Sequence, residues 1–118
     1  MQETIYHNGG VGTITGYYDA ELSILSVSDL LLHNLNHSYA SLMEQTKGSL
    51  KNLFYKKDAA FLDNARFRQL QGEGEGQVLT ADGSPVYVRL YKKDAVDTDG
   101  TPIWVLSVQM NWAYEILR

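Results

Sequence analysis

The chain has 118 residues, no cysteine and a formal net charge of −4 at pH 7. That length supports one domain with one core, and the missing thiol excludes disulfides, thiolate metal sites and cysteine nucleophiles. The acidic balance comes without any basic stripe; Lys56-Lys57 and Lys92-Lys93 are isolated pairs, expected at solvated ends of elements, so a nucleic-acid partner is not expected.

In chain order, Val11–Tyr18 is β-branched and aromatic with interspersed glycines, and reads as a first strand. A turn at Asp19–Glu21 leads to a second strand, Leu22–Val27, which should pair with the first as a hairpin. Ser28-Asp29 is a helix-start signal before Leu30–Leu35, and Asn36 suits a left-handed cap after it. Ser38–Glu44 restarts a short helix, and Ser49–Phe54 makes a further short turn. Asp58 would cap the longest helix, Ala59–Gln71, with Phe61, Leu62, Ala65 and Leu70 on one face. Gly72-Glu-Gly-Glu-Gly76 reads as a flexible acidic linker and a mobile lip. Asp82-Gly83 and Asp99-Gly100 are strong hairpin signals. They predict three antiparallel strands, Gly76–Ala81, Pro85–Val96 and Thr101–Met110. Asn111–Arg118 reads as the start of a helix that continues into a longer parent protein.

Two strands, several helices and a three-stranded meander predict an α+β domain with helices on one face of the sheet. Period-two alternation puts Val86, Val88 and Leu90 on one face of the middle strand and Tyr87, Arg89 and Tyr91 on the other. In the last strand it separates Ile103, Val105, Ser107 and Gln109 from Trp104, Leu106, Val108 and Met110. The smaller, β-branched set is expected to meet the helices. Tyr87, Tyr91, Trp104, Leu106 and Met110 would then form an apolar outer face, to be covered by a terminal helix, a second copy of the chain, or both.

Several segments, in this order and spacing, resemble those of PAS domains, the small sensory modules of bacterial signalling proteins. They are Val27-Ser-Asp29 before an apolar helix, Leu35-Asn-His-Ser38, Thr46-Lys-Gly-Ser49, the Lys-Lys-Asp58 helix start, Ala81-Asp-Gly-Ser84 with Val86-Tyr-Val88, and Val96–Gly100 followed by Pro102–Gln109. The resemblance spans Gly9 to Gln109. It implies a PAS-like five-stranded antiparallel sheet with the two N-terminal strands in the middle, short helices and one longer helix on one face, and a pocket between them. It divides the chain into an N-terminal lead-in (1–10), the PAS domain (11–110) and the start of a C-terminal signalling helix (111–118). Met110-Asn-Trp112 stands where such domains often carry Asp-Ile-Thr, which departs from the usual junction with an output helix.

The pocket candidates are Leu25, Val27, Leu31, Phe61, Val88, Leu90, Val105, Ser107 and Gln109, with a solid core filled by the same residues as the alternative. The expected function is a cytoplasmic sensory input domain that binds a small ligand or dimerises. It would relay a change to an output module in the same parent chain, such as a diguanylate cyclase or histidine kinase. A ligand-free homodimerisation module is the alternative. The ligand itself is unknown. Haem is not expected, since Asp58–Gln71 has no histidine, and covalent flavin chemistry lacks its cysteine.

Other motifs read as structural. His33 and His37 have helical metal-pair spacing, but Asn36 ends the helix between them and no third ligand is near. Gly9-Gly-Val-Gly12 and the GEGEG stretch lack the strand–loop–helix order of a phosphate loop and read as turns. Asp58, Asp97 and Asp99 are better cap and turn formers than catalytic acids, and Arg66, Arg68 and Lys57 form a solvated helix face. No base–nucleophile pair is present, so no catalysis and no metal site are expected. Nor does any apolar run reach the ~20 residues of a membrane span.

Overall fold

The computed structural model describes residues 10–55 and 64–110. The elements are β1 (Val11–Tyr17), β2 (Ile24–Val27), α1 (Asp29–Asn34), α2 (Tyr39–Thr46), a 3-10 turn (Leu50–Asn52), α3 (Asn64–Gln69), β3 (Gly72–Leu79), β4 (Pro85–Val96) and β5 (Pro102–Met110). All the strands join one antiparallel sheet in the order β2-β1-β5-β4-β3. The α+β, five-stranded architecture is therefore as the sequence predicts. Its two N-terminal strands are not both central: β1 is internal, but β2 is an edge strand. Having β5 return beside β1 pushes β2 outward.

Local chemistry explains the helix starts and stops. Ser28 Oγ accepts from Leu31 N at 3.3 Å and from Thr13 N at 3.0 Å, so one hydroxyl caps α1 and ties it to β1. Asn36 takes the left-handed φ of 61° after α1. Ser38 and Ser41 form a reciprocal capping box on α2. His37 bridges that helix, with Nδ1 at 2.7 Å from Ser41 Oγ and Nε2 at 2.6 Å from Gln45 Oε1. Gln45 Nε2 in turn donates to Thr80 O at 3.2 Å. Of the long predicted helix, Asn64–Gln69 is seen; Asp58, Phe61 and Leu62 lie outside the described residues. Its core contact is Phe67, while Ala65 is exposed, contrary to the expected apolar face.

The turn signals place both hairpins, with loops somewhat wider than the expected strand bounds leave. Leu79 pairs with Pro85 and Val96 with Pro102, so residues 80–84 and 97–101 form wider loops. Positive φ falls on Gly83 (85°) and Gly100 (82°), not on the aspartates before them. Asp82 Oδ1 accepts from Thr80 Oγ1 and Ser84 N, and Asp97 Oδ1 from the N–H groups of Asp99 and Thr101.

The GEGEG stretch is a strand rather than a linker or lip. Gly72 pairs with Lys92, Gly74 with Leu90 and Gly76 with Val88. Gly12, at the overlap of the expected first strand and the glycine-rich turn, lies within β1. A Cβ there would stand 2.6 Å from Leu31 Cβ, so its missing side chain is what lets α1 approach the sheet.

The largest correction concerns β5. Val88 pairs with Met110, Leu90 with Val108 and Lys92 with Leu106, and directly opposed residues share a face. Val88 and Leu90 point inward as expected, and so they carry Met110, Val108, Leu106 and Trp104 inward with them. All four are buried, whereas Val105 and Ser107 are half-exposed and Gln109 exposed. The loop at 97–101 fixes that parity, and the bulky set rather than the small one fills the core. With Ile14, Leu31, Leu35, Leu42, Leu53 and Phe67, these side chains make a single apolar cluster between sheet and helices.

Candidate functional site

The expected pocket residues do not converge. Leu31, Val88 and Leu90 meet in the core, and Val27 packs partly against it. Leu25 is exposed on the edge strand β2. Val105, Ser107 and Gln109 lie on the opposite side of the sheet, for the parity reason given above, and Phe61 lies outside the described residues. Of the expected outer face, Tyr87 and Tyr91 do point outward, Tyr91 being 50% exposed. Trp104, Leu106 and Met110 are instead core residues.

On the inner face, the arrangement centres on a residue expected at a solvated end. Lys92 is buried, because it continues the inward series Val88, Leu90, Lys92 along β4. Extending the period-two pattern by one position would have found it. Its Nζ donates to Leu70 O at 3.0 Å, just beyond α3, and to Asp94 Oδ1 at 3.2 Å. It also stands 5.1 Å from the Tyr18 ring centre and 5.2 Å from that of Phe67. Tyr18 Oη donates to Asp94 Oδ1, and Gln71 Nε2 donates to Oδ2 at 3.1 Å. Arg68 covers the outer side of the Tyr18 ring at 4.5 Å. Beneath them, Phe67 meets Trp104 edge-on at 5.6 Å, and Trp104 Nε1 donates to Tyr17 O at 2.9 Å.

The electrostatics follow from this packing. Burial, then the bond to Asp94, pushes the Tyr18 hydroxyl well above its ordinary value of 10.0. The same hydroxyl is the main reason Asp94 is held below 3.8; burial opposes it, and Gln71 and Lys92 assist. A buried cation satisfied by a carboxylate and a backbone carbonyl fastens α3 to the sheet. It does not form a nucleophile–base pair.

On the outer face, Val11, Glu73, Arg89, Tyr91, Ser107 and Gln109 line an open groove of about 290 Å3. Ser107 and Gln109 thus share a surface with Tyr91 rather than with the core. Arg89 and Glu73 pair across the groove at 3.5 Å with both side chains largely exposed, so that pair contributes little to stability. Among the described residues no group of histidines and carboxylates is placed to hold a metal ion. No helix among them is long and apolar enough to cross a membrane.

No protein-family model matches this sequence, and no curated protein matches it either. Solved structures do. A PAS domain of an HTR-like protein from Haloarcula marismortui superimposes with a TM-score of 0.67 at 16% identity, over 92% of this chain and 93% of that one. The fold is that of a PAS domain. A PAS domain from a two-component sensor histidine kinase gives 0.67 at 15% identity, covering 93% and 95% of the two chains. The N-terminal domain of a diguanylate cyclase with PAS/PAC sensor from Marinobacter aquaeolei gives 0.64 at 11% identity, covering 90% and 99%. Likeness at these identities rests on the PAS sheet order and helix placement, not on shared side chains.

Proposed function

We propose that this chain is a non-catalytic sensory input domain, residues 11–110, that self-associates through its outer sheet face and relays a displacement of β5 onward. The observation that carries this reading is the position of β5. It lies between β1 and β4, fills the core with Trp104, Leu106, Val108 and Met110, and leaves the sheet at its centre. There Gln109 pairs with both Val11 and Arg89. Any change in inner packing therefore lies next to the chain's exit. The receiver is an output module following residues 111–118, of the diguanylate cyclase or histidine kinase type found in the proteins of two structural neighbours. A bacterial, cytoplasmic setting belongs to the same reading.

The input is a small ligand over the inner side of β3. Gly72 and Gly74 leave a strip beside Leu90 and Lys92 where, among the described residues, no atom comes within 4 Å of a would-be Cβ. Such a ligand acts only through different affinities for two arrangements of the domain. Native mass spectrometry with light scattering tests the proposal: a dimer with added small-molecule mass is expected, and Tyr91→Glu should make it monomeric. A bare dimer selects the ligand-free homodimerisation module, and a bare monomer overturns both readings.

A further inference from the structure

Strand β3 is an edge strand, and its two halves are treated differently. At its C-terminal half the free edge is already occupied: Tyr55 N donates to Gln77 O at 2.8 Å and Leu79 N to Leu53 O at 2.9 Å. Those bonds show that the odd-numbered residues of β3 aim their backbone groups away from β4. The same parity follows across the whole sheet. Ser28 N donates to Thr13 O, so the odd residues of β1 face β2 and its even residues face β5. Alternation then turns the even residues of β4 toward β3 and leaves the odd residues of β3 pointing outward. Glu73 and Glu75 accordingly aim their N–H and C=O groups at the open edge. Among the described residues none of these groups has a partner.

Side-chain chemistry along that edge is equally regular. Glu73 and Glu75 project from the outer face of the sheet, both exposed. Gly72 and Gly74 present no side chain on the inner face and nothing described stands over them. An incoming strand thus meets alternating carboxylates on one side and, among the described residues, open space on the other. A second copy of this edge is disfavoured, because its own carboxylates would lie opposite these.

We propose that the Gly72–Glu75 edge of β3 is a docking site for an extended peptide carrying lysine or arginine at alternate positions, which adds a strand beyond β3. The peptide extends the ladder begun by Leu53 and Tyr55, its backbone pairing with Glu73 and Glu75 and its cations with their carboxylates. The exposed Arg89–Glu73 pair is weak enough for a peptide cation to replace it. This inference does not depend on the sensory reading above.

The test is an amide NMR titration of the labelled protein with a capped heptapeptide alternating lysine and valine. An alternating glutamate–valine peptide is the control. Expected are shift changes centred on the amides of Glu73 and Glu75, slowed solvent exchange at those two amides, and no response to the control. Glu75→Pro removes an outward N–H without touching the β4 ladder, and should abolish the response while the other amides keep their positions. Glu73→Lys with Glu75→Lys should weaken the lysine peptide roughly five- to tenfold and admit the glutamate peptide; this variant decides the matter if the proline variant does not fold. Shifts centred elsewhere, equal response to both peptides, no response at millimolar peptide, or unchanged binding by the variants would each overturn the proposal.

Discussion

Strands β5 and β3 belong to one sheet, with β4 between them, and hold their places by different means. On its inward side β5 carries Trp104, Leu106, Val108 and Met110, and it is paired along both edges. On the inward side of β3 stand Gly72, Gly74, Gly76 and Val78, and only the last of these is a buried apolar side chain. At about 1.5–3 kcal/mol per large apolar side chain, burial accounts for β5, whereas β3 depends on its ladder to β4 and the short bridge at Phe54. The centre of the sheet should therefore be intolerant of substitution, and the glycine half of the edge tolerant.

Trp104→Ala is the severest challenge to that contrast. It empties the core beside Phe67 and leaves Tyr17 O without its donor, and should cost about 3–5 kcal/mol by urea unfolding. A loss below about 1 kcal/mol would show that β5 is not held by its side chains. Gly16→Ala comes next. A Cβ there would stand 2.2 Å from both Trp104 Cζ2 and Ser23 O, at the irregularity where β1 shifts register against β2. Overpacking of that kind should cost about 2 kcal/mol in calorimetry, and an unchanged melting temperature would contradict it.

Tyr18→Phe probes the Lys92 cluster that joins the two regions, and its effect is pH-dependent. Asp94 has a lower pKa folded than unfolded, chiefly because of the Tyr18 hydroxyl. Its contribution is therefore present above the unfolded value and lost as pH falls through the folded one. Removing the hydroxyl should flatten that acid decline and cost at most about 1 kcal/mol at neutral pH, since Asp94 is half-exposed. Denaturant midpoints followed from neutral pH to below 3.8 check this; an unchanged acid limb would separate Tyr18 from Asp94. Gly74→Ala, the same exchange as at Gly16 but on β3, should move stability by no more than about 0.5 kcal/mol. A cost near that of Gly16→Ala would erase the distinction between the two strands.

Much of the fold was legible in short-range chemistry. Ser28, Asn36 and Ser38 marked helix limits through capping bonds that involve only neighbours in sequence. Gly83 and Gly100 marked both hairpins. What failed was long-range or combinatorial. The facing of β5 depends on how the 97–101 loop aligns Val96 with Pro102, and residue type pointed the wrong way, because Val105 looked more like a core residue than Trp104. In the GEGEG stretch the glycine content points to a linker, while its period of two is that of the strand it forms. Of the expected pocket residues, Val88 and Leu90 are core residues that apolar alternation along β4 identifies directly, and Leu31 is one on the apolar run of α1. Lys92 was missed because its charge overrode its position, and its partners Tyr18 and Leu70 come from distant parts of the chain.

The bond from Trp104 to Tyr17 spans 87 residues, and it sits at the middle of the sheet. A ribosome delivers β1 and β2 well before β5, so the nascent hairpin waits with a vacant flank until residues 102–110 have emerged. Local zippering of β3, β4 and β5 around their short loops is the natural nucleus, and capture of β1 the late, slow event.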